Sequence, residues 1–157
     1  MVYIYDKIHG YVQYSNDELD FLDNRWVKRL KRIKQLGQLD QVFPCASHSR
    51  FEHSIGVSYL AEKYCNMLNM NSNKKVFNDK DILCIKLAGL FHDLGHGPFS
   101  HVFDNVVLKK CCNRYGFKQH EERSQLIVEK IFSETGQIND LNGYDIDNIK
   151  QMIEPDK

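Results

Sequence analysis

The sequence predicts a mainly α-helical fold, in which a helical core is preceded by a small N-terminal β-hairpin. Apolar residues recur at helical spacing in several long segments, whereas strict alternation of apolar and polar residues is confined to the N-terminus. Apolar residues make up 42% and charged residues 27% of the 157 residues, the balance of one globular domain. We therefore expect a single domain over 1–157, with the hairpin in 1–15 and the helical core in 18–157.

The N-terminal elements follow from alternation and from capping residues. Residues 2–5 and 11–14 alternate as two strands, and Gly10 lies at the turn between them. Asp23 is predicted to be the N-cap of the first helix, and Gly37 is predicted to end it. The apolar stripe of that helix consists of Trp26, Leu30 and Ile33.

The remaining helices are predicted from apolar periodicity and helix-breaking residues. We expect a second helix over 51–67, a polar connection over 69–78 and a third helix over 79–94. The third helix is expected to end where Gly95, Gly97 and Pro98 follow one another. Two further helices are predicted over 120–133 and 145–153.

The composition indicates a cellular compartment but says little about binding partners. Basic and acidic residues are equal in number, so net charge indicates neither a nucleic acid nor a membrane surface. No stretch of 18 apolar residues occurs, and the first ten residues lack the layout of a signal peptide. The five cysteines show no paired spacing and are expected to be reduced thiols. We expect a cytoplasmic protein with no membrane partner, which leaves the nucleus open.

The third predicted helix contains the first residues that indicate a functional site. Residues 82–91 are apolar on nearly every face, which predicts a helix inside the core. This helix ends in His92 and Asp93, where a carboxylate is both desolvated and close to the negative end of the helix dipole. A cationic group should therefore face Asp93, and the alternatives are a metal ion, an arginine or a protonated histidine.

Five of the seven histidines are predicted to gather near this pair. His53 is expected to point inward because it shares a helical stripe with Val57, Leu60 and Tyr64. His120 begins a similar stripe, and His96 and His101 lie in the turn after the third helix. One inward histidine is more often a hydrogen-bonded core residue, but five together favour chemistry. Imidazole and carboxylate ligands suit one divalent transition metal ion, with zinc, iron, manganese and nickel not distinguished.

Two motifs identify the chain as similar to a known family. Residues 50–54 read R-F-E-H-S, and residues 92–101 read H-D-L-G-H-G-P-F-S-H. Together with I-K-Q-L-G at 33–37, they resemble the HD superfamily of metal-dependent phosphohydrolases. The resemblance is closest to the deoxynucleoside triphosphate (dNTP) triphosphohydrolase branch that includes enzymes with a sterile alpha motif, and it extends over 7–120.

The resemblance implies a role for each matching residue. Three of the family's four metal ligands correspond to His53, His92 and Asp93. The phosphate-facing histidines correspond to His96, His101 and His120, with His101 as the general acid and Asp104 as its acidic partner. The substrate-binding positions correspond to Gln35, Leu36 and Arg50. In such enzymes, metal-activated water attacks the α-phosphate of a dNTP and releases a deoxynucleoside and triphosphate.

The family's fourth ligand, an aspartate on a later helix, has no counterpart, so we expect the chain to lack the family's C-terminal helices. Three protein ligands and water still bind a metal in many catalytic sites. Two classes of function therefore stay open. The first is a nucleotide phosphohydrolase, most closely a dNTP triphosphohydrolase, with a nucleoside monophosphate phosphatase as a variant. The second is a non-catalytic module that binds metal, nucleotide or a partner chain.

The basic stretch 25–34 has two interpretations. On general grounds, it is a solvated helix face. In the family, this region binds an activator nucleotide, and Asp23 and Lys31 match two positions of that site. Lys31 stands where the family has arginine, and lysine lacks the planar guanidinium fork. A regulatory guanine nucleotide is a hypothesis here, and oligomer formation is left open.

Overall fold

The computed structural model describes residues 1–111, 119–136 and 141–155. Within these ranges, the chain forms one antiparallel hairpin and seven α-helices, which confirms the predicted mainly α fold. The helices are α1 (Asn16–Asp23), α2 (Arg25–Arg29), α3 (Arg50–Asn71), α4 (Asp79–Phe91), α5 (Lys109–Cys111), α6 (His120–Thr135) and α7 (Gly143–Ile153). Across the described residues, no helix combines the length and apolar character needed to cross a membrane.

The predicted hairpin is confirmed. Strands β1 (Val2–Asp6) and β2 (Gly10–Tyr14) pair in antiparallel register, with Ile4 opposite Val12. Val12 and Tyr14 are buried, and their burial fixes which face of the hairpin packs on the helices. Gly10 has a positive φ of 77°, as a tight turn favours.

The predicted start of the first helix was wrong. Asp23 is the last residue of α1, a helix that the sequence analysis missed. Ser15 begins α1 through a reciprocal capping box with Glu18, the signal that was overlooked. Asn24 is extended and caps the short α2, its side chain accepting a hydrogen bond from the Trp26 amide at 2.9 Å. A 3-10 turn follows over Leu30–Arg32, so Ile33 lies outside the helix and Gly37 does not end it.

Helix α3 begins earlier and ends later than predicted, and a different face is buried. Ser49 and Glu52 form its capping box, so the helix starts at Arg50. The predicted inward stripe was wrong at Leu60 and Tyr64, which are 49% and 59% exposed. The buried face instead includes Ser54, Ile55 and Ser58.

Small residues on both helices explain this choice of face. A Cβ atom added to Gly89 of α4 would lie 3.2 Å from the Ser58 backbone of α3, so the two helices are closely packed. Larger side chains at Ser54 or Ser58 would push the helices apart. His53 lies at the edge of this interface, half-buried, where its ring reaches the end of α4.

Helix α4 is the central helix, as predicted. Asn78 caps it, and its buried residues join an apolar core with residues from β2, α1, α6 and α7. The helix ends at Phe91 rather than at 94, because His92 to Gly95 form a turn. Lys86 is buried within this helix, where Glu18 and Glu62 lie 2.9 and 3.0 Å from its ammonium group.

The C-terminal helices carry the rest of the site. A π-helical segment over Phe103–Leu108 runs into α5, and neither was predicted. Helices α6 and α7 confirm the last two predicted helices and extend them at one end each. The start of α6 packs directly on the turn after α4, where a Cβ atom on Gly95 would lie 2.0 Å from the His120 carbonyl oxygen.

This close approach predicts that Gly95→Ala destabilises the protein strongly. The added methyl group would collide with the α6 backbone, which cannot rotate away as a side chain would, so we expect a loss of about 3 kcal/mol or more. Urea denaturation of the metal-free protein measures the change. Gly143→Ala, with nothing within 4 Å of its Cβ position, is the matched control. Equal stability of the two variants would contradict the packing described here.

Candidate metal centre

Three potential metal ligands converge from two helices. His53 comes from α3, while His92 and Asp93 come from the turn that ends α4. The Nε2 atoms of His53 and His92 are 3.1 Å apart, and the Asp93 carboxylate lies 3.8 Å from His53 and 3.4 Å from His92. All three ligand atoms lie within 4.8 Å of one another, a spacing that suits one ion.

The hydrogen bond on the far side of His92 defines which nitrogen faces this point. His92 Nδ1 lies 2.8 Å from the Gly89 carbonyl oxygen, which can only accept a hydrogen bond. The proton is therefore assigned to Nδ1, and Nε2 carries the lone pair. A backbone carbonyl that orients a histidine in this way is a usual feature around metal-binding imidazoles.

Asp93 is the buried charge on which the centre depends. Its residue is 5% exposed, and Arg50, itself 2% exposed, donates from Nη1 to Oδ2 at 2.6 Å. Burial works against ionisation, but the positive potential of His92, Arg50 and His96 holds the pKa of Asp93 below its ordinary value. Of the three cationic partners that the sequence left open, the structure places an arginine against this carboxylate.

A second group of three histidines adjoins the first. The His96 ring centroid is 5.0 Å from that of His101 and 3.8 Å from that of His120, and His96 Nε2 lies 3.4 Å from Asp93. Burial and the Arg50 charge lower the pKa of His96 to about 3, so it is neutral at pH 7. Its Nδ1 is buried without a hydrogen-bond partner among the described residues.

His120 is held between two carboxylates. Its Nδ1 lies 3.1 Å from Asp104 and its Nε2 lies 3.0 Å from Glu121. Burial nevertheless lowers the pKa of His120, against the opposing pull of these two acids. His101 completes the group from an exposed position, 5.3 Å from the His120 ring. The predicted gathering of histidines therefore occurs, in two adjacent sets.

The predicted substrate-binding residues lie along one edge of the centre. The Gln35 carbonyl accepts a hydrogen bond from the Ser100 hydroxyl at 2.9 Å, and Leu36 is 45% exposed. Arg50 donates to Asp93 from Nη1 and to Ser100 from Nη2. The contact between Gln35 and Ser100 brings the 33–37 segment to the turn that follows the His-Asp pair.

The two predicted regulatory residues each have a partner in the structure. Asp23 pairs with Lys28 at 3.1 Å, and the Lys31 ammonium lies 4.6 Å above the Phe51 ring. Both contacts satisfy these side chains within the chain itself.

Two functional candidates were missed in the sequence. Arg123 of α6 donates to the Gly95 carbonyl at 2.9 Å and also bonds the Asp104 carboxylate. It therefore links the turn after α4 to the carboxylate that contacts His120. Ser100 bonds Arg50. Arg123 has no spacing signal, because its partners are distant in sequence. Ser100 lies inside the H-D-L-G-H-G-P-F-S-H motif, which was the available signal.

The structure is thus a mainly helical domain in which a His-Asp pair ends a buried helix and is faced by a histidine from the preceding long helix, which together form a candidate metal centre. The chain belongs to the HD-domain family, whose model matches residues 50–155. This match confirms the family that the two motifs indicated.

Relatives of this chain carry more specific names. It is 41% identical over 150 residues to the deoxynucleoside triphosphate triphosphohydrolase SAMHD1 homolog of Dictyostelium discoideum, covering 94% of this chain and 27% of that protein. It is 50% identical over 105 residues to the Danio rerio SAMHD1 enzyme, covering 67% and 17%, and 40% identical over 136 residues to that of Homo sapiens, covering 87% and 22%. The chain thus spans about a quarter or less of the length of these relatives.

The lowered histidine pKa values predict acid-sensitive folding. His96 has a pKa of about 3 when folded and about 6.5 when unfolded, so unfolding takes up a proton below pH 6.5. The free energy of unfolding should therefore fall as pH drops from 6.5 towards 3, with a slope of up to about 1.4 kcal/mol per pH unit from this group. Burial lowers the pKa values of His53 and His120 as well, so they act in the same direction.

Urea denaturation of the chelator-treated protein between pH 7.5 and 5 measures this slope. His96→Gln removes one titrating group, so its curve should be flatter by about one proton. Parallel curves for the wild type and the variant would show that His96 does not titrate on unfolding.

Proposed function

We propose that this chain is a metal-dependent phosphohydrolase that acts on nucleotides, and that residues 1–157 act as one HD domain. The observation that carries the proposal is the convergence of His53, His92 and Asp93 on one point, with two imidazole Nε2 atoms and a desolvated carboxylate turned towards it. The further histidines beside that point supply groups suited to proton transfer.

The three residues fit a divalent transition metal ion. The His92 tautomer leaves Nε2 free to bind, and the carboxylate is ionised, as a ligand must be. Imidazole and carboxylate donors suit zinc, iron, manganese or nickel, and the donor set does not select among them. Such an ion would act as a Lewis acid towards a phosphoryl oxygen and would lower the pKa of water.

The chain's own residues supply the remaining chemistry. His96 is neutral near pH 7, so its ring N–H would donate a hydrogen bond to a phosphate oxygen without the cost of burying a charge. His120 lies beside it with both ring nitrogens against carboxylates, where it would help to move protons. His101 is exposed and lies against both rings. We assign His101 as the general acid because an exposed imidazole exchanges protons with water between turnovers. Asp104 orients His120 from behind.

We propose a dNTP as the substrate because the relatives are named for this activity. Water adds to the α-phosphorus, and the bond from that phosphorus to the 5′ oxygen breaks. The 5′ oxygen takes a proton, and a deoxynucleoside and triphosphate leave. Gln35, Leu36 and Arg50 border the centre, where they would contact the sugar and phosphate.

A non-catalytic module that binds metal or nucleotide is the alternative class. Among the described residues the centre offers three protein ligands, which favours turnover, because a structural metal site is normally closed by four protein ligands. A nucleoside monophosphate phosphatase would use the same ligands but release orthophosphate. Product analysis separates these activities.

Metal content and product release test the proposal together. We expect wild-type protein to bind one divalent ion per chain and to release triphosphate from dNTPs in the presence of that ion. Asp93→Asn and His92→Ala should lose both properties, with activity falling at least about 100-fold. Asp79→Asn changes an exposed carboxylate at the other end of α4 and is the matched control. Metal binding without product release would favour the non-catalytic module.

We also propose that a guanine nucleotide regulates this activity through Asp23 and Lys31. The support is that Asp23 lies just before the basic stretch 25–34, where it pairs with Lys28, and that Lys31 lies within it. Activity and oligomeric state should rise when GTP is added to wild-type protein but not to Asp23→Ala. Identical behaviour with and without GTP would end this proposal and leave the metal-dependent hydrolase intact.

A further inference from the structure

The turn after the His-Asp pair holds two residues in an uncommon backbone conformation. Phe99 and Ser100 have φ values of 66° and 56°, in the left-handed region that residues other than glycine seldom adopt. Such a conformation costs energy and persists only where the surrounding contacts hold it. Phe99 is half-exposed, whereas Ser100 is buried. The contacts that hold this conformation are therefore expected at Ser100.

The Ser100 hydroxyl joins two partners from different parts of the chain. It donates to the Gln35 carbonyl oxygen at 2.9 Å and accepts from Nη2 of Arg50. A hydroxyl has one proton to donate and lone pairs to accept with, so both of its roles are used. The left-handed backbone places this hydroxyl in the interior, beside the buried Arg50 side chain.

Arg50 carries the contact on to the metal centre. Its guanidinium is planar and buried, with Nη1 bonded to Asp93 Oδ2 at 2.6 Å and Nη2 bonded to Ser100. The next acceptor near Nη2 is the Gln35 carbonyl at 3.5 Å, too distant for a strong hydrogen bond. Fixing both nitrogens of a rigid fork sets the plane of the group, and hence which oxygen of Asp93 it holds.

We infer that Ser100 is a positioning residue for the metal-binding carboxylate and acts through Arg50. By anchoring Nη2, it keeps Nη1 on Oδ2 and leaves Oδ1 facing the Nε2 atoms of His92 and His96, 3.4 Å from each. The inference rests on the proposed metal site and adds a residue to it. It also explains why a strained serine occupies this turn, because the hydroxyl is needed there.

The alternative is that Ser100 matters only for the shape of the turn. Two substitutions separate the explanations. Ser100→Gly removes the hydroxyl and relieves the backbone, because glycine adopts positive φ without cost. Ser100→Ala removes the hydroxyl and keeps the strain. If the hydroxyl positions Arg50, both variants lose the same metal affinity, although the glycine variant is the more stable protein.

The test measures the affinity for one divalent ion by competition with a chromogenic chelator, alongside the thermal stability of the metal-free protein. We expect Ser100→Gly and Ser100→Ala each to bind the ion about 10-fold more weakly than the wild type. Phe99→Gly relieves the neighbouring strained residue without touching the hydroxyl and should bind like the wild type. In an Arg50→Gln background, Ser100→Gly should have no further effect on affinity.

Three outcomes would overturn the inference. Unchanged affinity in both Ser100→Gly and Ser100→Ala would remove Ser100 from the centre while leaving the metal site in place. Affinity that follows stability, weak in the alanine variant and normal in the glycine variant, would reduce the role of Ser100 to backbone shape. Failure of the wild type itself to bind a divalent ion would overturn the proposed function and this inference together.

Discussion

The ion pair between Arg50 and Asp93 is the interaction on which the rest of the centre depends. A carboxylate at the end of a buried helix is expensive to ionise, and leaving it unpaired costs several kcal/mol. Arg50 starts α3 and Asp93 follows α4, so this one bond also aligns the two helices that carry the other ligands. Close packing of Ser58 against Gly89 holds the same two helices together along their length.

The candidate metal centre combines one permanent positive charge, on Arg50, with three histidines whose pKa values are lowered. Arg50 is a permanent cation, whereas burial lowers the pKa values of His53, His96 and His120. A neutral imidazole is the form that binds a metal and the form that accepts a proton. Burial therefore keeps the His53 ligand nitrogen available at neutral pH, at the expense of stability in acid.

Much of the fold could be predicted from the sequence, because the strongest local signals coincide with the tertiary contacts. The hairpin, the central helix α4 and the gathering of histidines all follow from period, composition and motif. Helix α1 was missed although Ser15 and Glu18 form a capping box, because its apolar residues are too few to show a period. The predicted buried stripe through Leu60 and Tyr64 was wrong because the face of α3 that packs on α4 is formed by small residues, not large ones.

The hydrogen bonds and ion pairs that connect the residues of the centre could not be predicted from the sequence. The bonds from Ser100 to Arg50 and from Arg123 to Asp104 join residues that local periodicity cannot relate, so only the folded chain reveals them. The contacts of Asp93 could be predicted only in part. The sequence required a cation beside it, and the structure adds that Arg50 donates a hydrogen bond to this carboxylate.

A crystal structure of the metal-loaded protein with anomalous scattering from the ion tests the central claim most directly. We expect one ion at about 2.0–2.2 Å from His53 Nε2, His92 Nε2 and an Asp93 oxygen. An ion held instead by His96, His101 and His120, which form a second possible metal-binding set among the described residues, would contradict this claim.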